Sequence, residues 1–417
     1  MTLGSPGLSA ERQLSDSEFA ALRSLAFSRG RVIERDGLSV IGFGEASTIS
    51  LPNGLRDPCA LEGVREVLET LSPAGERSNA IVAMGALPFL PGRATSVMIP
   101  AVCIVARQGS APSAVAVGTR STEAIDALLA EAATEAAGPS PDSFHLASER
   151  PDGDFLDRVA AAVSEVRSGR LDKVVMAREV RVEANRPFRQ ADLLERLRAL
   201  HPSCTTFALA GFVGATPELL IRRTADEIES HPLAGTAARS GDPESDKRVE
   251  AALLASGKDR AEHRAVVEAI AHGLRGAVAE LDVGDAPEIV ELRNVSHLGT
   301  HIKGRLAPSP AGAILNALQV VALIHPTPAV AGTPVDLALE YLDKAEDLDR
   351  DRYAGALGWM DATGDGEWHL GIRCAIVHGR SARLFAGVGI VADSDPAAEL
   401  AETQLKLQAF LAAAVRP

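Results

Sequence analysis

Between residues 366 and 402 the chain sets out a cation, a Gly-x-Gly and two carboxylates in a fixed order. Arg373 lies in a segment, 366–375, that reads as a strand. Gly387 and Gly389 form a glycine turn in its partner, 384–391, and Glu399 and Glu402 follow in a helix that starts at Asp395. An arginine in a strand can grip a carboxylate through two parallel N–H bonds, and a Gly-x-Gly lets backbone amides approach an anion closely. Glutamates three apart share a helix face and can hold a divalent cation. Taken alone, the same residues also describe a surface ion pair, a hairpin turn and an acidic helix N-terminus.

Glu262 argues for the chemical reading. It shares a helical stripe with Val266, Ala269 and Ile270, the face a helix normally buries. An unpaired buried carboxylate costs several kcal/mol, so this position demands an arginine, a hydrogen-bond network or a metal. Glu399, Glu402 and Lys406 make a similar stripe at i, i+3 and i+7 on the last helix. Two helices that each turn a carboxylate inward could supply a magnesium site with positions left open for substrate oxygens.

The rest of the chain must position these groups. Of 417 residues, 46% are hydrophobic and 24% charged, a globular balance and not a disordered one. A net charge of -14 works against a nucleic-acid or anionic-membrane partner. A small anion can still bind where local cations or a metal offset the overall field. Cys59, Cys103, Cys204 and Cys374 lie far apart without metal-site spacing, as structural thiols of a reducing compartment do. Residues 1–7 lack a basic region followed by an apolar run, and no apolar run reaches membrane-spanning length, so a soluble cytoplasmic protein is expected.

Two stretches punctuate the chain: a linker or long surface loop at 135–143 and a shorter break at 306–312. Before the first, 81–89 and 95–105 read as buried strands. After it, helices are expected at 154–168, 192–200, 245–255 and 260–274, and a strand at 173–182. Short strands at 205–210, 212–215 and 219–223 read as an antiparallel meander. Neighbouring strands joined by turns, with helices grouped apart, indicate an α+β fold.

Several segments are identifiable in order: Lys173-Val-Val-Met-Ala-Arg178, Gly214-Ala-Thr-Pro-Glu-Leu-Leu220, Pro232-Leu-Ala-Gly-Thr236, Lys258-Asp-Arg-Ala-Glu-His263, His297-Leu-Gly-Thr300, His325-Pro-Thr-Pro328 and the C-terminal stretch. Together they resemble the chorismate-utilising enzymes, and among them the isochorismate synthases. The resemblance is carried by residues 154–412, with 1–150 as the less distinctive part of the same fold. It implies a single α+β domain over 1–417, two large antiparallel sheets packed together with helices outside. The loop near Pro139 would then not divide the chain. Asp259 and Thr216 depart mildly from the family pattern, which more often has glutamate and serine there.

The resemblance also implies roles. Lys173 stands where ammonia-using relatives carry glutamine and water-using relatives lysine, and a lysine desolvated in a cleft can act as a base toward water. Ala234 stands where aminodeoxychorismate synthases carry a nucleophilic lysine, so that nucleophile is absent. Lys173 would activate a water that attacks C2 of chorismate, while Glu218 protonates the departing C4 hydroxyl, which requires a raised carboxyl pKa. Glu262 and Glu402, with Glu399, would ligate Mg²⁺. Arg373, Tyr353 and the amides of Gly387 and Gly389 would hold the enolpyruvyl carboxylate with Lys406, and Thr236 and His297 would shape the ring pocket. The implied activity is isochorismate synthase, an isomerase, with salicylate synthase as the nearest alternative and a non-catalytic chorismate-binding protein as a remote one. No glutaminase subunit is expected, and a monomer is. His297 and His301 have the spacing of a zinc helix, but Gly299 lies between them and Leu298 replaces the required glutamate.

Overall fold

In the computed structural model, which describes residues 9–72, 80–135, 138–148, 150–310 and 312–415, the strand Leu38–Phe43 is buried at every position. Successive side chains of a strand point to opposite faces, and here both faces are covered. Leu38 and Val40 join one apolar core, Ile41 and Phe43 another. The first core lies between two large sheets, of twelve and nine strands. It joins Val174 and Met176 of the larger sheet to Met84, Trp359 and Trp368 of the smaller. The second core packs the outer face of the twelve-stranded sheet under helices that include Asp16–Arg29, Gln190–Leu200 and Pro396–Ala414. A further three-stranded sheet holds Leu233–Ala238, Glu288–Glu291 and Val295–Gly299. The pairings are antiparallel throughout the described residues, the α+β arrangement expected.

Strands from before residue 150 complete both large sheets. Arg31–Arg35 pairs with Thr205–Leu209, and Val82–Ala86 pairs with Ala356–Asp361. The stretch read as a linker, whose residues 136–137 lie outside the described set, runs into strand Phe144–Ala147, which pairs with Arg181–Ala184. The break at 306–312 follows strand Ile302–Leu306 and leads to helix Ala317–Ile324, capped by Asn316; residue 311 lies outside the described set, as do 1–8.

Four local expectations are corrected. Segment 95–105 is not one strand but two, Thr95–Ile99 in the nine-stranded sheet and Val102–Arg107 in the twelve-stranded one. Strands Phe212–Thr216 and Leu219–Thr224 are not neighbours in a meander: the first belongs to the twelve-stranded sheet, the second to the nine-stranded one. Segment 366–375 is not one strand but two, Gly366–Leu370 in the nine-stranded sheet and Cys374–His378 in the other. Arg373 sits at the corner between them, with φ of 52°, in the left-handed region. Gly387 and Gly389 form no turn: they lie within strand Ser381–Ile390, opposite Ala177 and Val175. The turn of that hairpin is at Gly379, φ 57°, between His378 and Ser381. Where the chain changes sheet the pattern along it is unaltered, because both sheets bury the segment.

Candidate active site

Helix Gly257–Leu274 starts at Ser256, whose hydroxyl accepts from Asp259 N–H, and it buries Val266 and Ile270 as its stripe predicts. Helix Pro396–Ala414 starts at Asp395, which accepts from Ala398 N–H, with proline at its first position. These two helices flank the end of the antiparallel pair formed by Lys173–Ala184 and Ser381–Ile390. Between them and the corners where the chain crosses from sheet to sheet lies a cavity of about 160 Å³. Lys173, Glu218, Thr236, Glu262, His297 and Tyr353 line it, as do Arg373, Gly387, Gly389, Glu399, Glu402 and Lys406. The fold therefore brings together every site residue singled out in the sequence.

Glu218 stands at the first crossing, between the strands that end at Thr216 and begin at Leu219. The Thr216 hydroxyl donates to Leu370 O at 2.6 Å and accepts from Glu218 N–H at 3.4 Å, and Leu370 N–H donates to Glu218 O at 3.1 Å. Threonine thus supplies the hydroxyl that ties the Glu218 corner to the Arg373 corner. Burial pushes the Glu218 carboxyl up to about 8, against a backbone hydrogen bond from Leu233 and the pull of Arg373, Lys173 and Lys406. At neutral pH it is a proton donor.

The basic groups are held individually. Lys173 Nζ donates to Glu262 Oε1 at 2.7 Å, and Lys406 Nζ donates to Gly387 O at 2.9 Å while paired with Glu402 at 2.6 Å. Arg373 Nη2 lies 3.2 Å from His297 Nε2. The tautomer follows from the partners. His297 Nδ1 lies 2.9 Å from Gly235 O, which can only accept, so Nδ1 carries the proton and Nε2 accepts from the arginine. Burial, and then Arg373, lower the imidazole to about 3, so it stays neutral and serves as a brace for the guanidinium. His297 occupies a strand, Val295–Gly299, not the helix that a zinc-peptidase motif needs.

The glycines are explained by close approach. A Cβ on Gly389 would lie 2.5 Å from Lys173 Cε, and one on Gly387 would lie 3.0 Å from the Tyr353 hydroxyl. Tyr353 stacks on Phe385 with ring centroids 5.2 Å apart. The sheet surface at these two positions is bare so that the lysine and the tyrosine can lie across it.

Glu262, Glu399 and Glu402 converge on one wall of the cavity. Burial alone would raise the Glu262 carboxyl, but Lys173, by charge and hydrogen bond, and then Lys406 and Lys258 bring it below the ordinary value. Burial raises that of Glu399, against a hydrogen bond from Ser394 and reinforced by Glu402. Three carboxylates on one wall offer the oxygen ligands that a hard divalent cation prefers, and two of them are ion-paired, Glu262 with Lys173 and Glu402 with Lys406. Among the described residues their oxygens do not gather within 4.8 Å as a triad; Lys173 and Lys406 hold two of the three carboxylates apart.

Sequence reading missed Arg350 and Glu346. Their buried ion pair, at 2.6 Å, bridges the cavity floor: Arg350 donates to Val175 O at 2.6 Å and Val330 O at 2.9 Å, and Glu346 Oε1 accepts from Ala177 N–H at 2.7 Å. It fixes the Lys173 strand against the turn that presents Tyr353. The i, i+4 spacing of the two residues was the available signal, but it is shared by countless surface pairs.

A family model described as chorismate binding enzyme matches residues 35–415. The salicylate biosynthesis isochorismate synthase of Pseudomonas aeruginosa is 43% identical over 280 residues, 66% of this chain and 57% of that protein. Isochorismate synthase DhbC of Bacillus subtilis is 38% identical over 283 residues, 65% of this chain and 70% of that one. The crystal structure of a putative 2,3-dihydroxybenzoate-specific isochorismate synthase from Bacillus anthracis superimposes with a TM-score of 0.80 at 30% identity, covering 95% of this chain and 99% of the other.

Proposed function

The chain belongs to the chorismate binding enzymes, and from that premise we propose that it is an isochorismate synthase, an isomerase that converts chorismate to isochorismate. The observation that carries the reading is the pairing, in one cavity, of a carboxylic acid that is protonated at neutral pH, Glu218, with a lysine, Lys173. Displacement of a hydroxyl by water needs an acid for the leaving group and a base for the nucleophile.

Arg373, braced by His297, takes the enolpyruvyl carboxylate with Tyr353 and Lys406 beside it, and Thr236 borders the ring. Glu262, Glu399 and Glu402 would hold Mg²⁺, which when bound supplies positive charge for the ring carboxylate. Lys173, in its neutral amine form, accepts a proton from the water whose oxygen bonds to C2. Both ring double bonds shift, C1=C2 to C1=C6 and C5=C6 to C4=C5, as the C4–oxygen bond breaks, and the leaving hydroxyl takes the Glu218 proton to depart as water. Solvent exchange then restores both groups. Ala234 offers no nucleophile, so substrate is not held covalently there.

We read residues 1–417 as one unit, since strands from before residue 150 lie inside both large sheets. We read the protein as cytoplasmic from its composition and its four free cysteines; no helix among the described residues is long and apolar enough to cross a membrane.

Incubation of the purified chain with chorismate and Mg²⁺, followed by chromatographic separation, tests the assignment. Isochorismate as the product upholds it. Salicylate with pyruvate moves the enzyme to the lyase branch, and no turnover removes the catalytic reading.

A further inference from the structure

Outside the cavity, one cluster of metal-ligating side chains remains unused. His231 ends strand Glu227–His231, Glu288 begins strand Glu288–Glu291, and His301 lies between Val295–Gly299 and Ile302–Leu306. One donor atom from each falls within 4.8 Å of the others. Glu288 Oε1 lies 3.3 Å from His301 Nε2 and 3.6 Å from His231 Nε2. Ligand bonds of about 2.0–2.1 Å at tetrahedral angles separate neighbouring donor atoms by about 3.3–3.4 Å. These two separations are close to those of a coordination sphere.

Three further features single the cluster out. His231 Nε2 is buried and has no hydrogen-bond partner, an arrangement that costs free energy unless something occupies the lone pair. Gly299 leaves the space beside it, since a Cβ there would lie 2.7 Å from that nitrogen. His301 Nδ1 lies 3.4 Å from Glu229 Oε1, on the side of the ring away from Glu288. A carboxylate at Nδ1 favours the tautomer whose Nε2 lone pair faces the other donors, the outer-shell arrangement typical of metal-bound histidine. The two imidazoles stack at 4.0 Å and 2°, so for both to direct an in-plane Nε2 lone pair at one ion a ring must turn about its Cβ–Cγ bond.

The geometry points to a binding site for a borderline divalent transition metal of the Zn²⁺ class, with His231, His301 and Glu288 as ligands. Two imidazoles with one carboxylate suit such an ion and disfavour Mg²⁺, which prefers oxygen. The ion fastens the end of the nine-stranded sheet to the three-stranded sheet, whose strands carry Thr236 and His297 to the cavity. It is distinct from the glutamate wall and does not depend on the proposed reaction. The pair of histidines four apart in sequence is thus divided: His301 joins this cluster, while His297 braces Arg373.

The test uses the full chain stripped of metal and titrated with Zn²⁺ in excess Mg²⁺, with bound metal counted after dialysis and thermal unfolding followed in parallel. The expected result is one equivalent bound and a raised unfolding midpoint. His301→Ala and Glu288→Gln, both at exposed positions that tolerate substitution, should weaken binding at least tenfold while leaving the midpoint of the metal-free protein unchanged. Co²⁺ in place of Zn²⁺ should give the intense visible absorption of a four-coordinate ion in the parent and not in His301→Ala. Absence of Zn²⁺ binding, equal binding by His301→Ala, or displacement of the ion by Mg²⁺ would each overturn the assignment.

Discussion

Replacing Gly389 by alanine isolates the placement of Lys173 from its chemistry. The new Cβ would start 2.5 Å from Lys173 Cε and 3.2 Å from Nζ. Carbon atoms pack comfortably at about 3.5–4.0 Å, so the lysine must retreat by about 1 Å and loosen its bond to Glu262. A misplacement of about 1 Å at a reacting group costs on the order of 10²-fold in rate, equivalent to about 2.7 kcal/mol of transition-state stabilisation. Stability should move little. The colliding atoms belong to the far end of a flexible side chain, and alanine in a strand interior recovers about 0.5–1 kcal/mol relative to glycine. The measurements are kcat/KM for isochorismate formation and an equilibrium denaturation curve on the same preparation. Retention of kcat/KM within about threefold would contradict the placement argument. A stability loss of several kcal/mol would show instead that the glycine serves packing.

Lys173→Ala and Glu218→Gln should each lower kcat by about 10²–10⁴-fold, while Mg²⁺ binding measured by calorimetry stays largely intact. Because Glu218 acts as an acid and its carboxyl titrates at about 8, kcat/KM should fall tenfold per pH unit above that value, and Glu218→Gln should abolish this alkaline limb. The same shift, from 4.5 in the unfolded chain to about 8 in the folded one, means the native state binds more protons in that window. Glu218 therefore favours the folded state fully below pH 4.5, and its contribution is lost as pH rises through about 8. The unfolding midpoint should decline over this range more in the parent than in Glu218→Gln. Chelation of divalent ions should stop turnover, and Glu402→Gln should raise the Mg²⁺ concentration needed to restore it. Arg373→Lys keeps the charge but loses the planar fork, so KM for chorismate should rise about tenfold or more.

The two helices that carry the glutamates were legible because their determinants are local. Ser256 and Asp395 cap, Pro396 opens, and the stripes through Glu262 and through Glu402 run at helical spacing. These two helices bring their glutamates to one cavity wall, as the sequence pattern suggested. The strands were legible as strands but not as members of a given sheet. Burial on both faces of the larger sheet removes the alternation that would tell one side from the other, so the crossings at 216–219 and 370–374 left no mark in the pattern.

The sequence by itself determined which chemical groups are available and how they are grouped along the chain: the acid, the lysine, the carboxylates and the arginine, each within a short segment whose order is informative. Tertiary structure decided what those groups do to one another. Burial, which depends on residues far away in the chain, moves the Glu218 carboxyl to about 8 and keeps His297 neutral. The sheet-to-sheet corner sets Arg373 in the left-handed region, where an arginine in a regular strand would not be. Gly389 is required by a lysine more than two hundred residues earlier, and the His231–Glu288–His301 cluster exists only where three strand ends meet. Distances of this kind are fixed by strand register and packing, which no local spacing encodes.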